Sequence, residues 1–203
     1  MPATPVREVQ TARGVARLHV DGDLGGGLLV LGHGAGGGVE ATDLLAARDA
    51  GLAAGLSVVR VEQPWRVRGR RVAEPPAQLD AAWLAAGAWL RAAGPAGRPL
   101  VAGGRSAGAR VACRTATALG ATAVLCLAFP LVPPGRPERT RAPELALPGV
   151  PLLVVQGSRD AFGVPTGAVV IEGADHAFAV RRGEPAAAPQ IESLVRTWLL
   201  QLP

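Results

Sequence analysis

Apolar residues recur along the chain with two spacings. Short, mainly apolar runs at 28–31, 56–61, 100–103, 122–129, 152–156 and 168–172 have the length of strands and little polar alternation. Such runs predict strands buried on both faces. Residues 15–20 alternate loosely and predict an edge strand. Between these runs the spacing becomes helical. Residues 44–54 form one candidate helix, with Thr42 or Asp43 as its cap and Gly55 as its stop. Leu79, Trp83, Ala86, Leu90 and Ala93 mark a second helix, and an Ala-rich run after Ser106 a third. Ile191, Leu194, Val195, Trp198, Leu199 and Leu202 make the apolar stripe of a C-terminal helix. Strands alternating with helices predict an α/β fold, a mainly parallel sheet with helices on both faces. Residues 130–148 contain six prolines and no sustained period, which reads as a lid-like excursion from a single domain spanning 1–203.

Composition narrows the class. Of 203 residues, 49% are hydrophobic and 18% charged, the balance of a globular domain. The net charge of +5 raises the question of nucleic acid. Every basic residue is arginine, however, within a chain dominated by alanine and glycine, and aromatics make up only 3%. Stacking platforms are therefore scarce, and no nucleic-acid partner is predicted. The stretch 1–14 carries Pro2, Pro5, Arg7, Glu8 and Arg13 without an apolar run, so no secretory signal is read there. The longest apolar stretch, 121–132, is too short to cross a bilayer. Cys113 and Cys126 fall in buried positions and read as free core thiols of a cytoplasmic protein.

Candidate chemistry begins at Gly104-Arg105-Ser106-Ala107-Gly108, a match to G-x-S-x-G. In that pattern a sharp strand-to-helix turn holds the serine strained and exposed, and the glycines avoid collisions with the neighbouring strand and helix. A serine hydroxyl needs a histidine to take its proton. The histidines are His19, His33 and His176, and in the order that accompanies such an elbow the base follows the nucleophile. Only His176 does. An acid should orient it. Asp160, just past a predicted strand, is preferred over the adjacent Asp175 and over Glu138 and Glu144 in the excursion. The backbone N–H of Ala107 is one expected oxyanion donor. Ala35, with Gly36 as second choice, supplies the other from the small-residue loop after residues 28–31. All these residues follow strands and should share the edge where ligands gather in such sheets.

Together GHGAGGG, EQPWRVRGRR, GGRSAGAR, PPGRPE, VQGSRDAFG and GADHAF resemble the alpha/beta-hydrolase superfamily. More narrowly they are similar to bacterial relatives of the testis-expressed-protein type and of the hydrolase-like domain in a regulatory subunit of the NSL chromatin complex. Dienelactone-hydrolase-like proteins are the nearest well-known enzymes. The resemblance runs from Leu28 to the C-terminus and implies the alpha/beta-hydrolase fold with a Ser106–Asp160–His176 triad. The chain departs from the family pattern in size, which leaves little room for a cap and speaks against a large, enclosed substrate. The expected activity is serine-hydrolase cleavage of a small ester, thioester or lactone through an acyl-enzyme. Some relatives are scaffolds, so a catalytically silent binding module is the alternative.

Other features have their own expectations. Gly32-His33-Gly34-Ala35-Gly36-Gly37 also fits the dinucleotide pattern G-x-G-x-x-G, with Glu62 placed for the ribose. The next helix starts too late for a pyrophosphate to sit at its N-terminus. There is no Gly-Lys-Ser/Thr, and paired metal-ligand spacings are missing, so neither cofactor nor metal is predicted. His33 reads as structural. Arg66, Arg68, Arg70 and Arg71 follow a strand and are candidates to hold a substrate carboxylate. Trp65 in the same loop is a candidate substrate contact that reads first as packing. Arg105 is expected to brace the elbow against an acid such as Glu62.

Overall fold

Strand parity explains the layers of the computed structural model, which describes residues 5–136 and 138–203; Pro2 and Pro137, read above, lie outside them. In β3 (Leu28–Gly32), Leu28 and Val30 enter one core and Leu29 and Leu31 the other. That is the period of a strand covered on both faces. The first core is closed by α3 (Pro76–Ala92) and α4 (Ala107–Leu119), through Trp83, Leu90, Ala109 and Val111. The second is closed by α1 (Thr42–Ala53) and α6 (Ala187–Leu199), through Leu44, Ala47, Ile191 and Val195.

Eight strands form one sheet in the order β1-β2-β4-β3-β5-β6-β7-β8. The remaining strands are β1 (Val6–Thr11), β2 (Gly14–Asp21), β4 (Ser57–Glu62), β5 (Leu100–Arg105), β6 (Ala123–Leu127), β7 (Leu152–Gly157) and β8 (Val169–Ile171). From β4 onward every pairing is parallel, while β1 and β2 are antiparallel. Residues 15–20 are therefore not at the edge. β1 lies outside them, and only Val9 of its six residues is buried, too little to leave a readable pattern. Neither Thr42 nor Asp43 caps α1. Its N-cap is Ala41, without a side-chain bond, and Asp43 turns into the interior.

The buried β4 also carries an arginine. Arg60, 1% exposed, donates to the Val39 carbonyl at 3.0 Å, pairs with Glu40 at 2.6 Å and reaches Asp21 at 3.3 Å. It thereby ties β2, β4 and the loop that follows β3. The described residues of 130–148 include one helical turn, α5 (Ala142–Leu145), strapped to the side of α4. Glu144 accepts from Arg110 at 2.8 and 2.6 Å and from Arg114 at 3.3 Å. Cys113 and Cys126 are free and buried with sulfurs 3.4 Å apart. The hydrogen bond to Cys113, with burial, pushes the Cys126 thiol well up.

Candidate active site

The parallel strands end at one edge, and the candidate residues gather there. Ser106, between β5 and α4, has φ 53° and ψ −110°, a strained conformation for a residue with a side chain. Its geometry depends on three glycines. A Cβ on Gly104 would come within 2.5 Å of the Gly32 carbonyl oxygen, and one on Gly108 would run into that same oxygen. The elbow can close only because the end of β3, the end of β5 and the first turn of α4 touch backbone to backbone. The Ser106 N–H donates to Leu127 at 2.9 Å, tying the turn to β6.

His176 comes from the turn after β8. That turn lies close against β7, since a Cβ on Gly157 would strike the Ala174 carbonyl. His176 Nε2 stands 3.0 Å from Ser106 Oγ, and His176 Nδ1 stands 2.7 Å from Asp160 Oδ2. The Asp160 carboxylate accepts only, so Nδ1 carries the proton and Nε2 faces the serine as acceptor. The Asp160 side chain is fully buried. Its Oδ1 accepts from the Phe162 N–H at 2.8 Å and its Oδ2 also accepts from Gln156 Nε2 at 2.7 Å. The same Gln156 amide reaches the carbonyls of Phe129 and Gly163. Phe162 packs on the histidine ring at 4.4 Å between centroids. Asp175 lies elsewhere, accepting the N–H groups of Ala177 and Ala179 within its own turn.

The loop after β3 lies across the serine. A Cβ on Gly34 would come within 3.3 Å of Ser106 Cβ and 2.9 Å of Arg105 Nη1. Ala35 and Gly36 follow at the partly exposed mouth. Among the described residues, the N–H groups of Ala35, Gly36 and Ala107 have no protein acceptor. That of Ala107 is one of the orphan donors that open any helix, at its positive end. His33 is 3% exposed and bonded at both nitrogens, Nδ1 to the Gly34 carbonyl at 2.8 Å and Nε2 to the Gln63 N–H at 3.1 Å. Burial lowers its pKa, with the Gly34 bond opposing. With Nδ1 on a carbonyl and Nε2 accepting from an N–H, its bonding is that of the neutral ring and serves the backbone.

Arg105 does not meet Glu62, which instead contacts His19 at 3.4 Å. It points to the α1 face, where the first turn of that helix supplies a nearer acid. Arg105 Nε lies 2.9 Å from Asp43 Oδ2, and Nη2 donates to the His176 carbonyl at 2.9 Å. The pair is almost dry, with side chains 10% and 2% exposed. Burial raises the Asp43 pKa, against the opposing pull of Arg105. Sequence reasoning missed Asp43 and Gln156 in these positions.

The arginine stretch divides. Arg66, in the short helix α2 (Pro64–Val67), lies against the loop after β3, its Nη2 3.8 Å from where a Gly38 Cβ would stand. Arg68 turns away, paired with Glu74 at 2.7 Å and bonded to the Arg13 carbonyl. Arg70 and Arg71 line a separate hollow with Arg13 and Glu74. Trp65 is 1% exposed, packed against His33 at 5.4 Å. The last glycine of the loop, Gly38, precedes α1 by several residues, which removes the helix N-terminus that a dinucleotide would need. Among the described residues, no three His, Cys, Asp or Glu side chains cluster as metal ligands. No helix among them is long and apolar enough to cross a membrane.

Known structures share this architecture. A serine hydrolase without a lid from Xanthomonas campestris superposes with a TM-score of 0.69 at 21% identity, covering 100% of this chain and 98% of its own. Est1E from Butyrivibrio proteoclasticus gives 0.75 at 14% identity, with 97% and 98% covered. Dienelactone hydrolase from Anabaena variabilis gives 0.72 at 18% identity, with 98% and 97% covered. No curated protein matches in sequence. The model of the alpha/beta hydrolase domain matches residues 26–196, which takes in the elbow, the loop after β3 and the histidine turn. The chain belongs to the alpha/beta hydrolase domain family.

Proposed function

We propose that this protein is a serine hydrolase that cleaves small esters, thioesters or lactones through an acyl-enzyme. One observation carries the proposal: the unbroken line from Ser106 Oγ to His176 Nε2 at 3.0 Å and from His176 Nδ1 to Asp160 Oδ2 at 2.7 Å. Ser106 Oγ attacks the acyl carbon while His176 Nε2 takes the hydroxyl proton, and Asp160 supports the imidazolium that forms. Negative charge collects on the former carbonyl oxygen, where the N–H groups of Ala107 and of Ala35, or Gly36, are free to donate. Losing one such donor costs about two to three orders of magnitude in turnover. Collapse expels the alcohol or thiol, which leaves with the proton from His176. Water, deprotonated by the same nitrogen, then releases the acid and restores the serine.

The named activities of the similar structures support this class, and the loop and elbow motifs support kinship with the testis-expressed-protein type. The substrate is a small acyl compound met in the cytoplasm, without a nucleic-acid or membrane partner. Arg66, beside the loop after β3, is the arginine best placed to receive a substrate anion. The test is labelling by a fluorophosphonate probe, with Ser106→Ala and His176→Ala as controls. Labelling should be lost in both variants. Absence of Ser106-dependent labelling in folded protein overturns the proposal in favour of a silent binding module.

A further inference from the structure

The hollow that Arg70 and Arg71 line holds more positive charge than its own acid can answer. Arg13, Arg70 and Arg71 border this open space of about 460 Å³ together with Glu74. The Glu74 side chain, 6% exposed, is already held by Arg68 at 2.7 Å and reaches Arg13 at 3.5 Å. Among the described residues, Arg70 and Arg71 have no ion pair, and both are exposed. Other acids of this region are committed, Glu62 to His19 at 3.4 Å and Glu40 to Arg60 at 2.6 Å. α3, which begins beside the hollow, has no acid in its first turn.

The hollow lies at the same edge of the sheet as Ser106. β2 runs antiparallel to β4 with Arg17 opposite Glu62, so Arg13, just ahead of β2, lies past the carboxyl end of β4. Arg70 and Arg71 follow α2, which itself follows β4. In the order β2-β4-β3-β5 the hollow stands two to three strand spacings from the serine, about 10–15 Å. That is too far for a carboxylate on a small acyl group whose carbonyl sits at Ser106. It suits an anion at the far end of the leaving group.

The walls narrow the kind of anion. Guanidinium groups bind phosphate through paired hydrogen bonds and stack on the faces of aromatic rings. The same hollow has apolar walls at Val72, which is 80% exposed, Ala73 and Pro75. A nucleotide presents both partners, phosphates and a flat base. Among the leaving groups of esters and thioesters, coenzyme A carries its adenosine phosphates on a long arm from the reacting sulfur. We propose that this hollow holds the phosphate-bearing adenosine end of coenzyme A, which names the thioester class for the Ser106 reaction and rests on that reading. Ser106 Oγ bonds to the acyl carbon, the C–S bond breaks, and the thiol leaves with the proton that His176 took. Water then gives its hydroxyl to the acyl group and, through His176, its proton to the serine.

The test has two arms. In the first, hydrolysis of butanoyl-coenzyme A and of the butanoyl thioester of N-acetylcysteamine is compared in wild type and in Arg70→Ser/Arg71→Ser. Thiol release is followed with a chromogenic disulfide. The substrates share the reacting carbonyl and sulfur, and the second lacks the phosphates. Wild type should favour the coenzyme A thioester by about tenfold or more in kcat/KM, through KM, and the double variant should lose that preference. In the second arm, calorimetry measures the binding of free coenzyme A, which needs no turnover. The double variant should bind it about tenfold more weakly or worse than wild type. Adenosine bisphosphate should displace it, and inorganic phosphate at the same concentration should not. A wild-type preference near one, binding that the double variant keeps, or equal displacement by inorganic phosphate overturns the subsite. Arginine-dependent binding of coenzyme A by a protein that hydrolyses neither thioester would sink the Ser106 mechanism instead and leave the subsite standing.

Discussion

Replacing Arg105 with methionine tests the most heavily committed side chain at the site. Arg105 compensates the Asp43 carboxylate at 2.9 Å and donates to the His176 carbonyl at 2.9 Å, with its side chain only 10% exposed. Methionine fills much of the volume but leaves Asp43, 2% exposed, without its cation. Breaking a buried pair from one side costs about 3–5 kcal/mol. Burial already outweighs Arg105 in setting the Asp43 pKa, which lies above its usual 3.8. Asp43→Asn, which removes the desolvated charge, should therefore cost less than Arg105→Met. The sign of the pH dependence follows. A carboxyl with a raised folded pKa makes its favourable contribution below 3.8 and loses it as pH rises through the folded value. Without Arg105 that value climbs further, so the deficit of Arg105→Met relative to wild type should be larger at pH 8 than at pH 5. Urea unfolding at both pH values measures stability, and hydrolysis of p-nitrophenyl acetate reports turnover, which should fall as the histidine turn loses its tie. A pH-independent deficit below about 1 kcal/mol, the range of an exposed pair, would refute the assignment of this contact as a buried structural pair.

Four further outcomes follow from individual residues. Gly108→Ala should cost about 3 kcal/mol or more in urea unfolding, because its Cβ meets the Gly32 carbonyl. Gly36→Ala, with no atom within 4 Å of its added Cβ, should stay within about 0.5 kcal/mol of wild type in the same assay. His33, whose pKa is lowered by burial, contributes stability above 6.5 that is lost as pH falls toward its folded value, at no more than about 1.4 kcal/mol per pH unit. His33→Gln should remove that slope from urea midpoints measured between pH 8 and pH 5. Gln156→Leu takes away a buried donor to Asp160 Oδ2 at 2.7 Å. It should cost about 2 kcal/mol, the scale of a hydrogen bond to a charged group, and lower kcat in steady-state assays.

How much of this was legible before the structure depends on whether a feature is local. β3, β5 and β6 read clearly because every residue in them is buried, so the apolar run is the strand. β1 did not, because an edge strand with a single buried valine obeys no strong period. The apolar run of β4 concealed Arg60, whose partners Asp21 and Glu40 come from other segments. At the site, the elbow was legible because Gly104, Ser106 and Gly108 lie within five residues and their requirement is set by backbone sterics. Asp160 and His176 were legible by position after strands, which the parallel sheet brings to one edge.

Asp43 shows why partner choice escapes such reasoning. An aspartate just ahead of an apolar helix satisfies every local criterion for a cap, and a cap needs nothing beyond its own turn. Its side chain nevertheless enters the interior, because a buried guanidinium at the end of β5 leaves a larger energy unmet than an uncapped helix start does. The contest is decided between residues 62 positions apart, on the face of the sheet that α1 covers. Gln156 follows the same logic, since a glutamine closing a strand is unremarkable until Asp160 and two carbonyls surround it. Motifs disclose what the backbone demands of adjacent residues. The groups that hold those motifs in register are chosen by unpaired charge and unpaired hydrogen bonds, and these become visible only when the strands are laid side by side.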